Sequence, residues 1–250
     1  MAFAKPASGL KTIKVSGAVG LVGLAEDLGA GAATVLADLT ATLGKAGATL
    51  ADVVKMNVYI VDISPEKVGS VGTAVHEAFK HLPKEERAAS TWVGVTGLVD
   101  PSLGVEIECE AVISEAAVTK SYIEPQKAGF SGAVAYSEAG SGLTTVTVSG
   151  AVGTAADLSA GAATALDGLG ATLGKAGATF ADVVKMNVYI VDIDGEKVGA
   201  VGGAVGAAFA HLPADKRSAS TWVGVTGLVD PSLGVEIECE AVIPSTEPRL

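Results

Sequence analysis

Histidine, cysteine, aromatic side chains and long hydrophobic runs are all scarce in this chain of 250 residues. Aromatic residues make up 4% of it, and there are three histidines and two cysteines. Of the histidines only His81 and His211 recur at equivalent positions, so no zinc-type ligand set forms, and we expect neither a metal nor a cofactor. No run of 18 or more apolar residues is present. Pro6, Gly9 and lysines interrupt the N-terminus before a signal-like stretch develops, so we expect a soluble, cytoplasmic protein with no membrane partner.

Positive charge is also scarce. Lysine and arginine total 17 against 28 acidic residues, for a formal net charge of −11. This balance repels phosphate backbones, and no lysine and arginine cluster reverses it locally, so nucleic acid is not an expected partner. The only cysteines, Cys109 and Cys239, lie on an apolar strand face, where buried reduced thiols are favoured over a disulfide.

What the chain does contain is a long tandem repeat. Residues 91–113 recur letter for letter at 221–243, a shift of 130 positions, and residues 41–63 return at 171–193 with the single change of Leu50 to Phe180. A period this long indicates duplication of a whole domain. We therefore predict one module at 1–113, a linker at 114–131 and a second module at 132–250. The second copy is three residues shorter between its early strand and its first helix.

Each module shows the same order of elements: strand, helix, strand, helix, two strands. This order predicts an α+β module in which two helices pack on one face of a mixed sheet. In the first copy the predicted elements are a strand at 12–17 (144–150 in the second copy), a helix at about 29–45, a strand at 53–61, a helix from Ser64 and Pro65 to about Phe79, and strands at 89–95 and 105–113. The last helix of the second copy carries four glycines, for which tight packing against a sheet or a partner would compensate.

The final strand separates two kinds of side chain. Alternation places Val105, Ile107 and Cys109 on one face, and Glu106, Glu108 and Glu110 on the other. Such a row of carboxylates is solvated, paired or lines a cavity. A strand surface that faces solvent explains this row of carboxylates as well as a functional site does.

Four segments form a recognisable combination: VSG after the early strand, ADVVKMNVYIVDI, HEAFKHLP, and the closing STWVGVTGLVDPSLGVEIECEAVI. Together they resemble the RidA/YjgF/L-PSP family of small enamine and imine deaminases. The resemblance covers nearly all of each module. It implies a chorismate-mutase-like fold whose sheets assemble into a trimeric barrel, with sites in the clefts between modules. For a chain of two modules it favours a homotrimer of three chains, with six modules in two stacked rings.

The resemblance also implies site residues. Glu110 and Glu240 match the carboxylate thought to orient or activate the attacking water, a role that suits a carboxylate of raised pKa. The matched substrate-binding positions are Ser16, Ser149, Thr91, Thr221 and Tyr136. The first copy offers only Phe3 and its neighbours where the second has Tyr136, so the two sites are expected to be unequal.

One family feature is missing from both copies. The arginine that clamps a substrate carboxylate is replaced by Ala89 and Ala219. Arg87 and Arg217 lie two residues earlier, roughly 6 to 7 Å along the chain if the strand extends that far, and could bind a displaced anion. The alternative for both is a solvent-exposed arginine at a loop edge.

Two classes of function follow. The first is a RidA-like enzyme that hydrolyses or cyclises a small imine, enamine or carbonyl compound in specialised metabolism, with Glu110 and Glu240 as acid and base groups. The second is a non-catalytic protein that binds a small ligand or serves as a scaffold, with a decayed deaminase site.

Overall fold

Both modules contribute to one continuous mixed sheet of 13 strands. The structure is a computed structural model and describes residues 2–4, 9–21, 25–115, 117–126 and 129–245. Four long helices cover this sheet, two from each module. The predicted α+β organisation, two modules each with two helices on one face, is confirmed.

The first module has its strands in the order β1-β2-β5-β3-β4. The parallel pair β3 and β4 is joined by the crossover helix α2, and the other neighbours are antiparallel. Its elements are β1 (Ala2–Ala4), β2 (Lys11–Leu21), α1 (Ala25–Lys45), β3 (Val53–Val61), α2 (Pro65–Phe79), β4 (Ala89–Val95) and β5 (Leu103–Ile113).

The second module repeats this arrangement in the order β7-β8-β13-β10-β11, with β9 beside β13. Its elements, with the strand β6 that precedes them, are β6 (Val118–Pro125), β7 (Ser131–Glu138), β8 (Leu143–Val148), β9 (Ala151–Thr154), α3 (Leu158–Lys175), β10 (Val183–Val191), α4 (Gly195–Ala208), β11 (Ala219–Val225), β12 (Gly227–Leu228) and β13 (Leu233–Pro244).

Each module has its own apolar core between sheet and helices. In the first, Leu36, Leu39 and Leu43 of α1 pack against Val105 and Ile107 of β5. The predicted alternation on the final strand is thereby confirmed, because the apolar side faces the helices and leaves the glutamates on the opposite side of the sheet. Cys109 and Cys239 are free and buried in these cores, and burial raises the pKa of each thiol to about 12.

The two modules meet at strand β4. Ala89 in β4 pairs with Ser131 in β7, and the short strand β12 adds to the same β4, with Leu228 opposite Val93. One sheet therefore runs through both modules, and β4 is an interior strand.

The segment that connects the modules is more ordered than a linker. Within 114–131, strand β6 pairs with β7 along nearly its whole length, from Val118 opposite Glu138 to Pro125 opposite Ser131. The sequence VTKSYIEP contains valine, threonine, tyrosine and isoleucine, all strand-forming residues. The prediction of a linker followed Pro125 and the Ala, Gly and Lys residues of the segment and missed this pattern.

Other boundaries differ in detail. Helix α1 begins at Ala25, before the predicted Gly29, and the early strand of the second copy divides into β8 and β9. Tight packing of the α4 glycines against a sheet is absent among the residues that the structure describes, and packing against a partner stays a prediction. A methyl group added to any of the four would meet nothing within 4 Å, and these residues are Gly199, Gly202, Gly203 and Gly206.

A close backbone contact joins the early strand to the first helix in both copies. A Cβ on Gly161 in α3 would overlap the backbone oxygen of Thr154 in β9, and the pair Gly20 and Gly31 makes the same approach in the first module. The strand glycines Gly20 and Gly153 are 133 positions apart, whereas Gly31 and Gly161 are 130 apart. The three-residue deletion therefore lies between strand and helix and leaves their contact intact.

This contact predicts opposite effects for two alanine substitutions in α3. Gly168→Ala places its Cβ in ordinary contact, 4.0 Å from Ala151, and should stabilise the helix by up to about 1 kcal/mol. Gly161→Ala forces the helix away from β9 and should destabilise the protein by about 1–3 kcal/mol. Urea unfolding measures both, and stabilisation by Gly161→Ala would contradict the described contact.

Candidate functional site at the junction of the modules

A polar network joins the two modules, with Glu238 of β13 at its centre. Lys55 Nζ lies 2.8 Å from Glu238 Oε2, and the Thr91 hydroxyl donates to the same oxygen at 2.6 Å. Asn187 Nδ2 and the Tyr189 hydroxyl each donate to Oε1 at 2.8 Å. Lys55 and Thr91 belong to the first module and the other three residues to the second, so the network spans the junction.

Glu238 is held as a carboxylate. Burial alone would raise its pKa, but the Lys55 ammonium and the hydrogen bonds from Asn187, Lys55 and Thr91 outweigh burial and keep this pKa well below its usual range. Burial and the negative charge of Glu238 raise the pKa of Tyr189, which therefore stays a hydroxyl donor.

Glu236, two residues earlier on the same face, behaves in the opposite way. Burial raises the pKa of this side chain to about 8, Glu238 adds to the rise, and Lys55 and the Trp92 backbone N–H oppose it. Its Oε2 has no hydrogen-bond partner among the described residues. The carboxyl group lies where a Cβ on Gly150 would be, which accounts for the glycine of the repeated Ser-Gly pair. Glu236 is thus mainly protonated at neutral pH.

Next to this network lies a charged cavity of about 190 Å³. It lies between the two modules on the glutamate side of the sheet, because β2, β3 and β5 of one module and β8, β10 and β13 of the other contribute to it. Its charged lining residues are Lys14, Lys55, Lys185, Glu110, Glu238 and Glu240. A smaller depression of about 140 Å³ shares four of the lining residues, Lys14, Lys55, Asn57 and Glu110, and adds Glu108.

The predicted catalytic residues Glu110 and Glu240 both line this cavity, in unequal surroundings. Glu110 forms an ion pair with Lys14 and accepts a hydrogen bond from Tyr136 of the second module at 3.2 Å. At the equivalent register position, Glu240 is opposite Thr147. The first module thus has a lysine where the second has a threonine. Tyr136 of the second module donates its hydrogen bond to Glu110 of the first.

The hydroxyl groups predicted to bind substrate have protein partners at this junction. Thr91 Oγ1 accepts from Lys55 at 2.6 Å and from Gly150 N at 3.0 Å in addition to its bond to Glu238. Ser149 Oγ accepts from Ser90 N at 2.7 Å and donates to the Ser131 carbonyl at 2.6 Å. Both side chains are buried. They hold the modules together and do not line the cavity.

Their counterparts Ser16 and Thr221 are exposed, and Thr221 accepts a hydrogen bond from Lys185. Arg87 and Arg217 also differ. Strand β4 begins only at Ala89, and the buried Arg87 lies 3.4 Å from His76 Nδ1 on α2, outside the cavity lining. Arg217 is exposed.

Sequence reasoning missed Lys55, Glu236 and Glu238 as junction residues. The alternation of the final strand grouped all three glutamates of each copy on one face, but which of them meets the other module depends on how β13 is placed against β4. The run VVKMN gave a weak signal, since its lysine interrupts an otherwise apolar strand.

A groove of about 760 Å³ lies elsewhere, between α1 and α2. Small residues line it together with Leu36, Leu50, Glu77 and His81. In the second module, Phe180 replaces Leu50 and packs against Phe209 with ring centroids 5.0 Å apart and the ring planes tilted by 53°. The single difference between residues 41–63 and 171–193 thus changes which side chains fill the space beside each pair of helices.

Neither a metal centre nor a membrane span is found in the part of the chain that the structure describes. No group of three or more histidine, cysteine, aspartate or glutamate side chains there could hold a metal ion. None of the helices there combines the length and the apolar character needed to cross a membrane.

The fold, the duplication and the junction define a two-module member of a known class. The family model described as Endoribonuclease L-PSP matches residues 8–113 and again 127–243, and the chain belongs to this family, also named RidA or YjgF. The comparison with curated proteins gave no match.

Solved structures resemble single modules of the chain. A member of the YjgF/YER057c/UK114 family from Mycobacterium tuberculosis, Rv2704, is 33% identical over 50% of this chain and 100% of its own, with a TM-score of 0.42. The Rid family protein YyfB from Yersinia pestis is 32% identical over 44% of this chain and 83% of its own, with a TM-score of 0.38. A putative endoribonuclease from Thermotoga maritima is 23% identical over 46% and 87%, with a TM-score of 0.37.

The raised pKa of Glu236 predicts a pH effect on stability. The folded protein keeps a proton on this group that the unfolded chain releases above pH 4.5. The stabilisation is complete below that pH and is lost as pH rises towards 8. Glu236→Gln removes this pH-dependent loss. The free energy of unfolding of the variant, relative to that of the wild type, should therefore rise by up to about 3 kcal/mol from pH 5 to pH 8.

Urea unfolding at pH 5, 6.5 and 8 and one protein concentration measures this difference. Glu196→Gln, on the exposed side of α4, is the matched control and should follow the wild type at every pH. Parallel pH profiles for Glu236→Gln and the wild type would show that Glu236 does not bind a proton on folding.

Proposed function

We propose that this protein is a RidA-like enzyme that acts on a small imine, enamine or carbonyl compound in the cavity between its modules. The observation that supports this most is the meeting of Glu110 and Glu240 with Lys14 and Lys185 in one sheltered cavity. Carboxylates in such a space can transfer protons to and from a bound molecule and a water.

In the proposed hydrolysis, one carboxylate accepts a proton from a water that attacks the carbon of a C=N bond. The carboxyl group gives this proton to the nitrogen as the carbon–oxygen bond forms, which leaves a carbinolamine. The hydroxyl proton of the carbinolamine then passes to the nitrogen, the carbon–nitrogen bond breaks, and ammonia or an amine leaves a carbonyl compound behind. The ammonium of Lys14 and the hydroxyl of Tyr136 hold Glu110 in place. Tyr136 suits a donor role, because burial and the nearby carboxylates raise its pKa.

The absence of the arginine clamp limits which charged groups a substrate can carry. Ala89 is fully buried at the junction, where it offers neither charge nor space. The cavity contains three lysines and three glutamates, so opposite charges are balanced in number. A cavity of about 190 Å³ is below the usual range for drug-sized ligands. These features favour a small, neutral or zwitterionic substrate over a bulky carboxylate.

Assembly as a homotrimer of two-module chains and a cytoplasmic location are parts of the same proposal. Family membership supports the first, because the barrel of this family contains more than two modules. The second follows from the scarcity of cysteine and of long apolar segments in the sequence.

A non-catalytic role is the second candidate, and one observation favours it. Hydrogen bonds to protein partners at the junction occupy the side chains of Thr91, Ser149 and Lys55. Those bonds would be needed in a scaffold whose deaminase site has decayed.

Carboxylate-to-amide substitutions separate the two candidates. Small keto, imine and carboxylate compounds are supplied to the protein, with turnover followed by proton NMR and by ammonia release. In an enzyme, Glu110→Gln or Glu240→Gln should lower turnover in the shared cavity about 10²–10⁴-fold. The exposed Asp167→Asn, with the same change of charge, should leave turnover unchanged.

The assembly size of each variant, measured by light scattering, must equal that of the wild type for the comparison to hold. Turnover that survives both substitutions in one chain would contradict the roles given to Glu110 and Glu240. Ligand binding that is indifferent to both, with no turnover of any compound, would favour the scaffold.

A further inference from the structure

Strand β6, which connects the modules, forms a cleft with each of them. Its side chains alternate between a cleft of about 660 Å³ against the first module and one of about 380 Å³ against the second. Those in the first cleft are Val118, Lys120 and Tyr122, and those in the second are Thr119, Ser121 and Ile123. Asp52 and Ile113 line the first cleft, and their copies Asp182 and Ile243 line the second. The two clefts can therefore be compared position by position.

The first cleft is more acidic than the second. Glu86 and Glu115 line it together with Asp52. The residues 130 positions later are Lys216 and Ser245. Among the described residues that line the second cleft, Asp182 is the one with a carboxyl group. The two extra carboxylates thus belong to the first module alone, although both clefts have the same architecture.

The lysines of the first cleft leave two of its carboxylates unpaired. Lys120 Nζ lies 3.7 Å from Asp52 Oδ1 and donates to a backbone carbonyl at 2.9 Å. Glu86 and Glu115 form no ion pair with any residue that the structure describes. With the exposed Lys11, the cleft has three carboxylates against two lysines. The net charge of −11 on the whole chain also favours a cation here.

Tyr122 and a buried carboxyl group add to the polar side of this cleft. Burial, and then the negative charges of Glu86 and Asp52, raise the pKa of Tyr122, so its hydroxyl stays neutral beside these carboxylates. Ser114 lines the cleft and donates to Glu138 Oε1 at 2.6 Å. Oε2 of the buried Glu138 has no hydrogen-bond partner among the described residues. A buried acceptor of this kind points to a donor that these residues do not supply.

We infer that this cleft binds a small primary ammonium compound with a short apolar chain. The ammonium group donates to Glu86 and Glu115, and the apolar chain packs against Val112, Val118 and the ring of Tyr122, which also line the cleft. Charge-assisted hydrogen bonds to carboxylates and contact with an aromatic ring both favour an ammonium ion over a neutral or anionic group. The cleft shares no lining residue with the cavity between the modules, so this binding is separate from the proposed enzyme activity.

Isothermal titration calorimetry of the full chain at low ionic strength tests this inference, with isopentylammonium chloride as the probe. The wild type should bind it at one site per chain. Isopentanol and isovalerate, which have the same branched chain with a neutral or a negative group, should not bind. The variant that combines Glu86→Gln and Glu115→Gln should bind the ammonium compound at least about 10-fold more weakly, because two charged acceptors are lost.

The matched control combines Asp167→Asn and Glu196→Gln, two exposed residues outside the cleft. It has the same net charge as the Glu86 and Glu115 variant and should bind like the wild type. Glu240→Gln, in the cavity between the modules, should also leave the affinity unchanged. No binding of the ammonium compound, equal binding of isopentanol, or an unchanged affinity in the Glu86 and Glu115 variant would overturn the inference. The readout involves no turnover, so its failure is distinct from failure of the proposed enzyme activity.

Discussion

The arrangement of the two modules depends on one buried ion pair, Lys55 with Glu238. Removing two charges from water carries a large desolvation penalty, which the pair recovers only with good geometry and further hydrogen bonds. Thr91, Asn187 and Tyr189 supply those bonds. Since the lysine and threonine come from one module and the carboxylate from the other, the ion pair and its hydrogen bonds form only when the modules are joined in this arrangement. The network therefore fixes the relative placement of the two halves and, with it, the shape of the cavity.

Duplication makes this dependence visible, because each residue of the network has a copy in a different environment. Lys185 and Thr221 have the same chemistry as Lys55 and Thr91, but Thr221 lies on the exposed strand β11 and Lys185 is half-buried on the neighbouring strand β10. The copies have also diverged in the cavity, where Lys14 faces Glu110 while Thr147 faces Glu240. One gene duplication has thus produced one covered junction and two carboxylates in unequal settings.

Much of the fold could be predicted from local patterns. Strand β3, helix α2 with its Ser64 cap and strand β4 have the predicted bounds, because alternation, capping and proline placement are encoded within a few residues. Strand β6 was missed because Pro125 at its end and the Ala, Gly and Lys residues of the segment resemble a linker. Alternation predicts the candidate site only as a face of glutamates, and the family resemblance adds Glu110 and Glu240, which both line the cavity. The packing of β13 against β4, which are far apart in the sequence, decides which glutamate is ionised, which is protonated and which contacts the other module. The periodicity of a single strand carries no information about that packing.

The most direct test of the account is a double-mutant cycle on Lys55→Met and Glu238→Gln, measured by urea unfolding. Each single substitution leaves a buried partner unpaired and should destabilise the protein by about 3–5 kcal/mol. The double variant should lose much less than the sum of the two, because no unpaired charge remains, which gives a coupling energy of about 1–3 kcal/mol. Additive losses would contradict the claim that this ion pair joins the modules.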